Sequence, residues 1–312
     1  FGKAAAKLHR FTGVWVSEAS VRAYTEGAGA AFVAEQAAEL ARLLRELPPD
    51  PPGPVVQQVS VDGAMVPLIG GVWAEVKTLA IGTVIQQPDR EGRLEGHAVD
   101  VSYFSRRTDV ASFLQQAQLP LHQRGTARAG TVVTVNDGSD WIAGLVGTLL
   151  PEAVRVLDFP HAVEHLTLAA QATFGAGTAA LVSWLEAQAH TLKHEALDPV
   201  LDALRALPVG EATDPRAAAR ARDASLGYLE KRRAQADYPR FRARGYPIGS
   251  GMVESANKLV VEARLKGSGM HWAPGHVDPM LALRTIEGAD GWDAAWPSIA
   301  RRLRHEAQTR RA

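Results

Sequence analysis

The stretch VVTVNDGSDWI, residues 132–142, runs an apolar, β-branched segment straight into Asn136-Asp137-Gly138, after which the chain becomes compatible with a helix. Val and Thr at this density predict a strand, and Asn-Asp-Gly predicts the turn that ends it. A strand that ends in acid is a usual way to hold a metal or a phosphate at a sheet edge, yet the same residues are ordinary turn chemistry. The surrounding pattern has to decide.

Upstream, PVVQQVSVDG, VWAEVKTLAIGTVI and HAVDVSYFS predict three adjacent, half-exposed strands of an antiparallel meander. A helix-like SRRTDVASFLQQAQLPLHQRG leads into the quoted strand. Beyond it come a helix (SDWIAGLVGTLL), a short strand (AVRVLD) and a helix (PHAVEHLTLAAQATFG). The order β-β-β-α-β-α-β-α predicts an α/β fold, a mixed sheet with helices on both faces. From about Gly175 to Arg244 the pattern is helical throughout and reads as an all-α insertion, closed by the Gly-rich GYPIGSG and the helix MVESANKLVVEARL.

At the other end, residues 3–28 predict a helix, a turn and a second helix with Ser17 or Ser20 as N-cap, the outline of a helix-turn-helix, and a separate helix follows over 31–46. LPPDPPGP then breaks the chain. The predicted units are 1–48 (helical), 55–174 (first part of the core), 175–245 (helical insertion), 246–285 (rest of the core) and 286–312 (basic helix or tail).

With 312 residues, 46% of them hydrophobic, the chain can bury a large core. No apolar run approaches the roughly 20 residues of a membrane span, and FGKAAAKLHR lacks the apolar centre of a signal peptide, which predicts a cytoplasmic protein. The chain opens on Phe1 rather than Met, as a fragment does. Cysteine is absent, so disulfides, thiolate nucleophiles and Cys-based zinc sites are excluded, and any metal must sit on Asp, Glu or His. Such a donor set favours Mg²⁺ or Mn²⁺. Net charge is zero, but between Arg216 and Arg244 nine Lys and Arg residues face Asp223, Glu230 and Asp237, a local excess of about +6. That is the footprint of a phosphate-binding surface or of a solvated helix face.

Three acids occupy comparable predicted positions: Asp62 at the end of the first strand, Asp137 at the end of the fourth, and Glu254 at the start of the helix after the insertion. Strand ends and a helix N-terminus can converge, and three carboxylates suffice for two hard divalent cations. Each also has a plainer reading, as a hairpin turn, a strand-to-helix turn and a first-turn acid.

A rival frame is His161-Ala-Val-Glu164-His165, an H-x-x-E-H pattern with Glu186 as a further acid, which would describe a zinc peptidase.

The combination resembles the RNase H-like catalytic domain of bacterial DDE transposases. VDGAMVPL and VNDGSDWI are similar to the first- and second-Asp motifs of insertion-sequence transposases of the ISKra type. YPIGSGMVESANKLVVEARLKGSGMHW is similar to their third-acid region, and Asp158-Phe-Pro-His161 to the D-x-x-H signature of Mutator-like relatives. The likeness covers about residues 55–285. It implies Asp62, Asp137 and Glu254 as catalytic acids and metal ligands for two Mg²⁺ or Mn²⁺ ions, with Asp140 set aside and Asp158 and His161 as auxiliaries. It also implies cleavage at element ends and 3′-hydroxyl transfer into target DNA, by at least a dimer on double-stranded DNA. Family members usually carry more chain ahead of this point, which counts against recognition of element ends by this stretch alone.

Lys77, Arg232, Arg233, Arg264, Lys266 and Trp272 are the candidate DNA contacts, with a cross-strand ion pair for Lys77 and a core position for Trp272 as the alternatives. A non-catalytic DNA-binding relative and a nuclease or resolvase with the same acids are the alternatives within this fold.

Overall fold

The computed structural model describes residues 1–88, 92 and 94–309. β1 (Val56–Pro67), β2 (Trp73–Pro88) and β3 (Leu94–Arg106) form the expected antiparallel meander. Past α3 (Val110–Gln123), β4 (Thr131–Asn136) pairs in parallel with the free edge of β1. α4 (Asp140–Leu149) crosses over to β5 (Val154–Leu157), which pairs in parallel with β4 and runs into α5 (Phe159–Phe174). The result is one five-stranded mixed sheet in the order β3-β2-β1-β4-β5, with helices supplying the crossovers that parallel neighbours require.

β1 is therefore central, and it is buried on both faces rather than half-exposed. Val59 and Val61 pack with Phe113 and Ala117 of α3 and Ile142 and Leu145 of α4. The alternate residues Gln58, Ser60 and Asp62 belong to the opposite face. Gln58 and Ser60 have no more than 1% of their surface exposed, and Gln58 Nε2 donates to Ser60 Oγ at 3.1 Å and to the Gly249 carbonyl at 3.2 Å. Polar alternation looks solvent-facing in the sequence because the chain that covers it arrives far downstream.

That chain is the insertion and its return: α6 (Ala179–His194), α7 (Asp198–Arg205), α8 (Pro215–Lys231), α9 (Tyr238–Ala243), and then α10 (Gly251–Ala256), a π-helical turn over Asn257–Glu262, and α11 (Ala263–Leu265). The insertion shares one core with the sheet. Leu192, Leu201, Leu204, Leu229 and Tyr238 pack in the same cluster as Val133, Val135, Val156 and Leu166. On the β1–β2 side, Val253 and Ala256 of α10 cover Ala80, and Val260 and Val261 cover Val66 and Val76.

α12 (Pro274–Gly288) and α13 (Trp292–Thr309) complete the chain; the last three residues of the basic segment 286–312 lie outside the described residues.

The N-terminal expectation needs correction. α1 (Gly2–Thr12) and a turn precede one continuous 29-residue helix, α2 (Glu18–Glu46), in place of two shorter ones. Ser17 caps it, its hydroxyl accepting the Ser20 N–H at 3.0 Å. α2 lies along α12 and α13, where Ala28, Ala31, Leu283, Ile286 and Ile299 form a small core. A Cβ at Gly29 would stand 2.1 Å from the Pro279 carbonyl oxygen, so the helices cross with almost no side chain between them. Among the described residues no helix is long and apolar enough to cross a membrane.

Gly29→Val should destabilise the fold by about 1–3 kcal/mol, because backbone rather than a flexible side chain must yield. Gly27→Ala, with nothing within 4 Å, should instead stabilise by up to about 1 kcal/mol through helix propensity. Urea midpoints that shift the same way for both would show that α2 does not make this crossing.

Candidate functional site

Across β1 and β4, Val59 pairs with Thr134, and across β4 and β5, Asn136 pairs with Leu157. Asp137 and Asp158 each follow the last residue of their strand, at the same end of the parallel pair, and Asp62 lies three residues beyond Val59 in that direction along β1. Asn136 ties these strand ends together. Its side-chain Oδ1 accepts the Val61 N–H at 2.6 Å and its carbonyl accepts the Asp158 N–H at 2.9 Å.

Asp62 lies inside β1, not at its end. The hairpin turn comes later, where the Leu68 N–H donates to the Val72 carbonyl at 2.7 Å, which removes the turn reading of Asp62-Gly63. Asp62 accepts the Gly63 N–H at 2.7 Å on one oxygen and Asn257 Nδ2 at 2.7 Å on the other. Burial pushes this carboxyl above the usual range and the Asp137 charge adds to the push, while the two hydrogen bonds and the charge of His161 offset part of it.

Asp137 follows β4 directly. One oxygen accepts the Ser139 N–H at 3.0 Å, so the turn reading is also correct for this residue. Asp140 points away, ion-paired with Lys231 at 2.9 Å.

Asp158 has no exposed surface. It caps α5, with Oδ2 accepting the His161 N–H at 3.1 Å and facing His161 Nδ1 at 2.7 Å, while Oδ1 accepts the Ser250 N–H at 2.5 Å. Such a cap contributes about 1 kcal/mol. Ser250 extends the chain of bonds, its hydroxyl donating to Glu254 Oε1 at 3.1 Å.

Among the described residues, Asp158, His161 and Glu254 form the group of potential metal ligands whose donor atoms all lie within 4.8 Å of one another. The hydrogen bond to Asp158, helped by the charges of Asp158, Asp137 and Glu164, raises His161 to about 9. With Nδ1 engaged, the other ring nitrogen of His161 is left for a ligand. The imidazole is about 39% exposed.

The insertion reaches the same place. Arg232 lies over the Tyr228 ring at 4.0 Å and donates to the Tyr228 and Gly138 carbonyls, bracing the loop that carries Asp137. His165 stacks on the other side of this arrangement, 3.6 Å from the Tyr228 ring. Burial lowers the His165 pKa. The close group that contains His161 includes neither His165 nor Glu186, the remaining donors of the zinc-peptidase pattern, and of the expected triad it includes Glu254 but neither Asp62 nor Asp137.

Two of the candidate DNA contacts are corrected. Lys77 is 4% exposed, its ammonium held by Glu75 at 2.7 Å and the Thr108 carbonyl at 3.0 Å. Trp272 is 8% exposed, in a core with Val66, Val76 and Val277, and its backbone bridges to the hairpin at Leu68. Arg233 pairs with Asp198, Lys266 with Glu262 at 2.8 Å, and Arg264 lies over the Phe1 and Trp272 rings.

The sequence reading missed Asn136, Tyr228, Ser250 and Asn257. Asn257 was the most accessible of these, since it stands three residues after Glu254 and so on the same helical face.

No protein-family model matches the chain, and a search of curated proteins returns no match.

Two pH effects follow for the metal-free protein. His161 should titrate near 9 by NMR and fall towards its ordinary 6.5 in Asp158→Asn. Because the folded value is raised, the stability from this pair is complete below pH 6.5 and is lost as pH rises through about 9; His161→Gln should flatten that slope.

Asp62 is also raised, so its ionised form weakens the fold at neutral pH. Asp62→Asn should raise the unfolding midpoint at pH 7, aided by the unpartnered Asn257 Oδ1, which can turn to accept the new amide. The gain should vanish at acid pH, where wild-type Asp62 is protonated.

Proposed function

We propose that this chain is the RNase H-like catalytic core of a bacterial DDE transposase, which cleaves DNA at element ends and joins the 3′-hydroxyl to target DNA. The observation that carries the reading is the nearness of Asp62 to Asp137, whose charge acts on it where the antiparallel and parallel halves of the sheet meet, with Glu254 brought beside Asp158 and His161 behind a helical insertion. The strand order supports the finer fold assignment. The link from Asp158 through Ser250 to Glu254 supports the pairing of D-x-x-H with the third acid.

The donors fit Mg²⁺ or Mn²⁺: they are oxygen-rich, and the buried Asp62 and neighbouring Asp137 repel each other as anions, a strain that a cation between them relieves. Asp62, Asp137 and Glu254 would hold two such ions. Bound there, they supply charge stabilisation and an activated water or 3′-hydroxyl for in-line attack on a phosphodiester.

The protein's own part is placement. Asn257 and the Gly63 N–H aim Asp62. Asn136 and Arg232 fix the backbone that carries Asp137. Asp158 turns His161 so that an imidazolium N–H is available to a phosphate oxygen of the scissile strand. DNA would be held by the exposed cations of the insertion, including Arg216, Arg220 and Arg244, with affinity that falls as salt rises.

The test is a strand-transfer assay with Mg²⁺ or Mn²⁺ and the element's terminal sequences, comparing wild type with Asp62→Asn, Asp137→Asn and Glu254→Gln. Each substitution should reduce joining by roughly a thousandfold or more while DNA binding persists. Joining that survives the loss of one acid removes that residue from the site. Cleavage of branched DNA without joining identifies a nuclease or resolvase, and binding without either reaction identifies a non-catalytic relative.

A further inference from the structure

A cavity of about 600 Å³ opens between α2, α3 and the outer strand β3, in the size range of small-molecule sites. Its walls are largely apolar: Val33, Ala37, Leu40 and Leu44 from α2, Phe104 from β3 and Leu119 from α3. Set into this lining is one formal charge that makes no ion pair among the described residues. Arg106 is 4% exposed and lies over the Phe104 ring at 4.6 Å. Its guanidinium donates to the Ser105 carbonyl at 2.8 Å and to Gln36 Oε1, both neutral acceptors.

Asp278, the acid on the cavity wall, acts on Arg106 through its charge only, and one of its oxygens already accepts the Arg107 N–H at 2.7 Å. Burial lowers the Arg106 pKa to about 10, so it remains a cation at neutral pH. A buried cation whose hydrogen bonds all go to neutral acceptors, with one acid acting on it without an ion pair, is costly, and a planar guanidinium is well shaped to take a carboxylate through two parallel hydrogen bonds.

We propose that this cavity binds a small amphipathic carboxylate, its acid group on Arg106 and its aliphatic or aromatic body along Leu40, Leu44 and Leu119. The site lies away from the acid cluster and is independent of the function proposed above. A ligand here would bridge α2 to the sheet, since Gln36 of α2 and Arg106 of β3 already meet at its floor, and would therefore stabilise the seating of the N-terminal helix.

The experiment is a headgroup series on the wild-type chain, with octanoate, octanol and octylamine titrated by calorimetry and thermal shift. Octanoate should bind and raise Tm. Octanol should bind on the order of tenfold more weakly, the loss expected for one charge-assisted hydrogen-bonded contact, and octylamine should not bind.

Ala37→Phe, which fills the cavity from an exposed-side helix position, should abolish octanoate binding, and Arg106→Met should make octanoate no better than octanol. If Arg106→Met does not fold, the headgroup series and Ala37→Phe still decide the matter. Equal affinity for octanoate and octanol, or no binding of either, overturns the proposal. Concentration-dependent dimerisation that Ala37→Phe removes, with no octanoate binding, would seat a second copy of the chain in the groove and also overturns it.

Discussion

A fully buried carboxylate has to be held by donors, and Asp158 has them from two directions. The first turn of α5 provides the His161 N–H and ring nitrogen, and the loop before α10 provides the Ser250 N–H. The two segments are separated by the whole helical insertion, so these bonds set where the chain re-enters the sheet. Phe159 N–H donating to the Ile248 carbonyl at 2.9 Å repeats the same tie through the backbone. Together with the Asn257 bond to Asp62 these ties set where Glu254 stands, and Asp158 sets the orientation of the His161 ring. The acid cluster thus depends on a group that need not touch a substrate.

The same constraint explains why polar residues crowd a buried strand. Gln58, Ser60 and Asp62 share the face of β1 that the returning chain covers, and Gln58 and Asp62 hydrogen-bond to it, at Gly249 and Asn257. The π-helical turn begins at Asn257 itself. Such turns shift the helical face by one residue and recur at functional positions; here the shift lies between Glu254, which faces Ser250, and Val260 and Val261, which fill the core. One helix thereby serves both the acid cluster and the hydrophobic contact with Val66 and Val76.

Basic residues that cluster in the sequence between Arg216 and Arg244 are largely occupied in the fold. Arg232 braces the Asp137 loop, Arg233 pairs with Asp198, and Arg242 pairs with Glu95. Local charge in a sequence measures supply, whereas exposure after ion pairing sets what a polyanion can meet. The insertion consequently has a structural role as well as any electrostatic one: Tyr228 and Arg232 form part of the wall beside Asp137.

Much of the architecture was determined by sequence alone, because it rests on local periodicity. The five strands, the helical run after Phe174, the Ser17 cap and the turn at Asp137 all follow from residue pattern within a few positions. The absence of cysteine also limits the side chains available to any metal to carboxylates and imidazoles. Tertiary structure alone decided the rest. It made β1 central and double-faced, placed Asp62 within a strand, merged the second and third predicted helices into one that lies on α12, and buried Trp272 and Lys77. It also joined Asp158 to Ser250 and Asn257 to Asp62, pairs separated by 92 and 195 residues. Local pattern carries no information about such partners, because a hydrogen bond between distant segments exists only once the packing of the whole chain has set the distance between them.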